Sequence, residues 1–262
     1  MYIVSSHRQV CIVEELDAWE QQYNVNLPQA YREFLLEYGQ GTYTNLWHIE
    51  MPDAERLKEF AEYGLWEYEQ ESPITASQLT ECIVIGSTID GDMLALHRDV
   101  EGGLWLPRHS EQITAVPWQQ LPWEDFMKQE LRRLYGDAYD PAAHEAYFEP
   151  WNGRQQHEFL MLRSERVMEQ GASAIEFANT LEGKQAYLRE IAAKLAEQYV
   201  PELNIQTPYT GKLFYRALEG YVRFNYAYGN EVALFYEPSS ADAANGTFLD
   251  QLRQQLHAAA IE

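Results

Sequence analysis

Ile12, Leu16, Trp19 and Tyr23 recur at helical spacing with Glu14, Glu15, Asp17 and Glu20 between them. That pattern predicts an amphipathic helix with one stripe to bury and an acidic outer face. Leu27-Pro28 follows, where proline's fixed φ and missing N–H suit the first turn of a second helix. Tyr31, Phe34, Leu35 and Tyr38 supply its apolar stripe, and Gly39-Gln40-Gly41 ends it. Thr42 to Met51, rich in β-branched and aromatic residues, reads as one strand, and Pro52 with Asp53 opens a short helix through Leu57, Phe60 and Ala61.

Glu67, Glu69 and Glu71 alternate with Tyr68 and Gln70, a stretch too acidic to bury and without a helical stripe, so it reads as a solvated loop. Residues 82–86 form a buried strand, Ile89-Asp90-Gly91-Asp92 a tight turn, and Met93 to His97 a second strand. Gly102-Gly103 turns the chain again before Leu104-Trp105-Leu106, which makes an antiparallel meander. Trp123, Phe126, Met127, Glu130, Leu131 and Leu134 trace a helix started by Pro122 and stopped by Gly136.

The breakers Gly136, Pro141, Pro150 and Gly153 then suggest a connection, and the expected domains are residues 1–149 and 150–262. In the second, Leu181, Leu188, Ile191, Leu195 and Tyr199 give a strong helix ended by Pro201. Strands follow at Lys212–Leu218, Tyr221–Tyr228 and Glu231–Tyr236, with Gly229-Asn230 as a two-residue hairpin loop, and a last helix carries Leu249, Leu252 and Leu256. The fold class is α+β: helices packed on an antiparallel sheet, then an α+β unit with helices, a three-stranded antiparallel meander and a final helix. No short repeat points to a solenoid.

Charge changes this picture. Residues 1–150 carry 27 Asp+Glu against 9 Lys+Arg, whereas residues 151–262 carry 14 against 10. A field of that sign repels nucleic acid and anionic membrane and draws a basic partner inward, although acidity also serves plain solubility. Hydrophobic content of 46%, with 18 Tyr and 7 Trp, is enough to fold the chain. No stretch approaches the ~20 apolar residues of a membrane span. Nothing after Met1 resembles a signal peptide, and a cytoplasmic protein is expected. Cys11, in a helical pattern, and Cys82, in the run Cys82-Ile83-Val84-Ile85, read as small buried hydrophobes.

Candidate chemistry is sparse. Asp90-Gly91-Asp92 lacks the six to eight oxygens that Ca²⁺ takes and reads as a hairpin turn. Glu14-Glu15, Glu67/Glu69/Glu71 and Glu124-Asp125 are adjacent or exposed carboxylates without the burial that raises one pKa for acid–base work. His7, His48, His97, His109, His144, His157 and His257 show no i, i+4 ligand pair. There is no nucleophile elbow, phosphate loop or dinucleotide fingerprint, so no catalytic residue, cofactor or metal is expected. Phe214, Tyr221, Phe224, Tyr226, Tyr228, Phe235 and Tyr236 make the C-terminal sheet aromatic, either as core or as an exposed face for a partner or a second copy. Lys212, Arg216 and Arg223 are too few for a nucleic-acid groove.

Four pieces, in order, resemble the SUKH superfamily (Smi/Knr-like domain) over about residues 8–136. They are the acidic helix Val13–Trp19, the run Leu27-Pro28-Gln29-Ala30-Tyr31-Arg32-Glu33-Phe34-Leu35 into Gly39-Gln40-Gly41, the strand-turn-strand from Ile83 to Leu96, and the closing Trp123-Glu124-Asp125-Phe126. The resemblance implies an α/β domain that binds and does not catalyse, as in bacterial immunity proteins that neutralise toxins, often nucleases, and in fungal cell-wall regulators. It does not extend to residues 151–262. The expectation is a binding protein whose carboxylates stand in for phosphates on a basic toxin. Its contacts are Glu67, Glu69, Glu71, Asp90, Asp92, Asp99 and Glu101, with Trp105 as an aromatic anchor. The alternative is a regulatory scaffold that recruits a client and forms a homo-oligomer through its C-terminal half.

Overall fold

The computed structural model describes residues 1–68, 71–118, 120–136, 146–163, 165, 180–238 and 246–262. The chain divides into two compact units, Met1 with His7–Trp151, and Tyr2–Ser6 with Asn152–Glu262. The initial strand β1 (Tyr2–Ile3) therefore counts with the second unit.

The first unit begins with α1 (Val13–Tyr23) and α2 (Gln29–Glu37). The Glu15 carboxylate accepts the Ile12 N–H at 3.2 Å, satisfying one of the donors a helix start leaves open. Only Leu16 is fully buried on α1, while Tyr31, Phe34 and Leu35 are buried on α2, so the second helix is the one seated in the core. Cys11 precedes α1 and is buried, as is Cys82, and both are free thiols.

The stretch read as one strand from Thr42 to Met51 is a hairpin of β2 (Gly41–Tyr43) and β3 (Trp47–Asp53). Thr44 and Asn45 lie between them at φ 50° and 61°, the left-handed pair that matches the twist of adjoining strands. After α3 (Arg56–Phe60), whose start the Asp53 carboxylate caps by accepting the Arg56 N–H at 3.1 Å, comes α4 (Ala76–Leu79). The meander follows as β4 (Ile83–Thr88), β5 (Met93–Leu96), β6 (Gly103–Leu106) and β7 (Thr114–Val116). Next is α5 (Trp123–Tyr135), preceded by Pro122 and closed by Gly136 at φ 54°, in the form the sequence predicts.

The residues taken as a connection include a further strand, β8 (Tyr147–Pro150), which pairs with β2, while Pro141 lies outside the described residues. Among the described residues, the strands of this unit form one antiparallel array in the order β8-β2-β3-β4-β5-β6-β7. Every residue of β4, β5 and β6 is buried, which explains why they read as continuous apolar runs and not as alternation. One face packs Trp47 and Trp105 edge to face at 5.1 Å, with Trp123 and Phe126 of α5 against Trp47. The other carries Val84, Met93, Ala95, Leu104 and Leu106 under Leu57, Trp66, Ile74 and Leu79.

The second unit comprises β9 (Gln156–Met161), α6 (Leu181–Gln198), β10 (Leu203–Gln206), β11 (Thr210–Tyr215), β12 (Gly220–Asn225), β13 (Glu231–Tyr236) and α7 (Gly246–Ala258). Its antiparallel sheet runs β10-β11-β12-β13-β9, so the expected meander is the middle of a five-stranded sheet. The predicted two-residue loop is longer: Tyr226–Asn230 separates β12 from β13, with Gly229 at φ 66° donating its N–H to the Asn225 carbonyl at 3.1 Å.

Leu188, Ile191 and Leu195 of α6 and Leu249, Leu252 and Leu256 of α7 pack with Leu213, Val222, Phe224 and Leu234 from one face of the sheet. The fully buried Glu237 accepts from Ser5 Oγ at 3.0 Å and from Asn152 Nδ2 at 2.5 Å, with Arg154 Nε 3.8 Å away. Those contacts fix Tyr2–Ser6 to this unit, helped by Tyr2 against Phe214 at 5.6 Å.

Candidate functional site

The β4–β5 turn holds Asp90 and Asp92, whereas the β5–β6 turn holds Asp99 and Glu101. These turns lie at opposite ends of β5, so the carboxylates expected to act together fall into two separate groups. The first group gains neighbours. Met93 pairs with Leu106, which brings the start of the 107–113 loop beside the turn, and the Arg108 N–H donates to Asp92 Oδ1 at 2.8 Å. The Asp92 N–H donates to Thr88 Oγ1 at 3.1 Å, so Asp92 is half-buried and fastens the turn. Gly91 sits at φ 93°, and a Cβ there would lie 2.8 Å from Arg108 Cδ, so this arginine side chain covers the turn. Tyr135 of α5 stands close by: burial above all, with Asp90 and then Asp92 adding to it and Thr88 opposing, pushes its phenol up to about 12.

The same loop reaches the acidic stretch. Glu67 donates its backbone N–H to the Glu111 carbonyl at 2.9 Å, and Trp66 Nε1 donates to the Pro107 carbonyl at 2.8 Å. Glu67 and the exposed Glu111 are therefore neighbours, Glu71 lines one cleft with Glu67, and the turn that bears Asp90 lies at the same end of the sheet. Glu69 lies outside the described residues. Glu111 escaped the sequence reading because it stands alone between Ser110 and Gln112, with no charge pattern to mark it.

Beside this end is a cleft of about 340 Å³, lined by Glu67, Glu71, Pro73, Gln112, Thr114 and Ala115 among others. Much of the remaining acidity is neutralised locally: Arg32 pairs with Asp17 and Glu20, Arg56 with Glu50, Arg98 with Glu81 and Lys128 with Glu124. Among the described residues no ion pair involves Glu71, Asp90 or Glu101.

Trp105 is a correction. It is 2% exposed, and its indole N–H donates to the buried Glu130 carboxylate at 2.6 Å, so it belongs to the core and offers no surface to a partner. An indole on a central strand, covered on both faces, must find an acceptor inside, and Glu130, itself held by Arg133 at 2.7 Å, supplies it.

Residues 12–117 match the SMI1 / KNR4 family (SUKH-1). The matched SUKH-1 segment spans α1 to the end of β7 and thus contains both acidic turns and the cleft, while α5 and the whole second unit lie beyond it. No match to a curated protein or to a solved structure was found.

Among the described residues no group of three or more His, Cys, Asp or Glu is placed to hold a metal ion, and no helix is long and apolar enough to cross a membrane. His144 lies outside them. Burial holds the imidazoles of His48 and His97 below the usual histidine range.

Proposed function

We propose that this chain is a non-catalytic, cytoplasmic binding protein of the immunity type, whose SUKH-1 segment neutralises a basic toxin, of nuclease kind, by covering its nucleic-acid groove with carboxylates. The gathering of Glu67, Glu71, Asp90 and Glu111 at one end of the sheet carries this reading, together with the family match. Carboxylates on a rim set the rate of encounter with a positive surface and present oxygens where phosphates would lie. Asp99 and Glu101 belong to a second, opposite patch, so a partner engaging the first end does not need them.

The test begins with a toxin gene adjacent to this one that encodes a basic domain. The full chain is expected to abolish that domain's nuclease activity. Glu67→Gln/Glu71→Gln/Asp90→Asn is expected to slow association about tenfold at low salt with little change in dissociation. Unchanged association would remove this end of the sheet from the interface, and failure to inhibit any such domain would overturn the reading.

One observation favours the scaffold alternative. Phe159 and Met161 on the outer strand β9 are 53% and 38% exposed, and their register partners Ala233 and Glu231 place them on the sheet face opposite α6 and α7. Apolar side chains so displayed suit contact with a client or a second copy.

A further inference from the structure

α3 continues past Phe60 as a 3-10 turn over Ala61–Tyr63, which Gly64 breaks at φ 58°. Glu62 and Tyr63 follow Glu59 by three and four residues on this continuous turn, so the three side chains leave from one side of it. All are exposed, Tyr63 at 72%, and Leu65 beyond the glycine extends the apolar surface at 45%. A Cβ placed at Gly64 would meet nothing within 4 Å among the described residues, so the space beside the ring is open.

The ring is exposed but not loose. Phe60 packs against the core that contains Leu57 and Trp66, and its own ring meets Tyr63 at 6.5 Å, edge to face. Just downstream the chain is pinned again by the Trp66 indole on the Pro107 carbonyl and by the Glu67 N–H on the Glu111 carbonyl. Among the described residues no ion pair involves Glu59 or Glu62, because the neighbouring cation, Lys58, is taken by Glu55 at 2.6 Å. The surface thus offers an aromatic face beside two uncompensated carboxylates. A second copy would set carboxylates against carboxylates, and a purely apolar partner would strand them. A guanidinium answers both, since its plane stacks on an aromatic ring and its N–H groups donate to carboxylates.

Resting on the reading above, we propose that Tyr63 is the anchor of the interface: an arginine of the basic partner stacks on its ring while Glu59 and Glu62 accept from the guanidinium. Rim carboxylates act on the rate of encounter, whereas a covered tyrosine–arginine contact acts on dissociation, the role that the buried Trp105 cannot fill.

The probe is a short synthetic peptide alternating arginine and glycine, titrated into the full chain carrying ring-labelled tyrosine. The peptide is expected to shift the Tyr63 ring resonances, identified by their loss in Tyr63→Leu. That exposed substitution is expected to weaken binding about fivefold, whereas Tyr63→Phe, which keeps the ring, binds as the parent does. Glu59→Gln/Glu62→Gln is expected to weaken binding and flatten its salt dependence, and a peptide with citrulline for arginine, planar but uncharged, is expected to lose it. Unmoved Tyr63 resonances, equal affinity in Tyr63→Leu, or no binding of the arginine peptide overturns the anchor, while the acidic-surface reading stands or falls on inhibition of the nuclease domain. A shifted Tyr63 ring with binding indifferent to salt and to Glu67→Gln/Glu71→Gln/Asp90→Asn keeps the anchor and counts against the wider acidic surface.

Discussion

Trp105 shows how one side chain can look like a binding anchor and serve as a keystone of folding. Its ring meets Trp47 at 5.1 Å, its N–H meets Glu130, and the Arg133 guanidinium lies 5.9 Å from its centroid. Trp105→Ala is expected to cost about 3–5 kcal/mol in urea unfolding, since it opens a large cavity and strands a buried carboxylate. His97 shows a second residue-scale effect. Its Nδ1 accepts the Asp99 N–H at 3.2 Å, so the proton sits on Nε2, which is buried without an acceptor among the described residues.

Burial lowers the His97 pKa below 6.5; Asp99 and Glu81 oppose that shift and Arg98 adds to it. The unfolded chain therefore binds the proton more readily, and His97's contribution to stability is present above about pH 6.5 and lost as pH falls below it. Urea midpoints measured from pH 7.5 down to 5.5 should fall less steeply in His97→Gln than in the parent chain. Parallel slopes would assign the acid sensitivity elsewhere, His48 being the nearest alternative.

At the scale of elements, legibility followed local signals. Pro122 and Gly136 bracket α5 because a missing N–H and a positive φ are properties of single residues, and the periodicity of α6 needed only its own sequence. The hairpin of β2 and β3 was hidden because its turn uses Thr44 and Asn45, and a threonine at φ 50° carries no turn signal of its own. β8 was hidden because a four-residue strand beside prolines reads as linker until its partner, Thr42 to Glu149 and Tyr43 to Phe148, is known. The acidic end was only half legible for the same reason. Glu67 and Asp90 are visible in the chain, but the Glu67–Glu111 backbone bond and the Met93–Leu106 pairing that brings the 107–113 loop beside the Asp90 turn are long-range choices that no local pattern displays.

Across the whole molecule, the two units differ in what they present. The first carries most of the negative charge, and the second exposes aromatic surface on β9. If the scaffold alternative holds, sedimentation of the full chain should show a concentration-dependent dimer that Phe159→Ser/Met161→Ser abolishes. A monomer at all concentrations would leave that face to a client or to none.

The tie between Ser5 and Glu237 bears on any attempt to dissect the protein. Its linear order and its spatial partition disagree, since the opening residues are sewn into the closing half. Scissors applied at Pro150 would therefore yield two damaged fragments, one trailing a loose thread and one with a carboxylate bereft of its serine. A clean separation must carry the Tyr2–Ser6 strip along with residues 152–262.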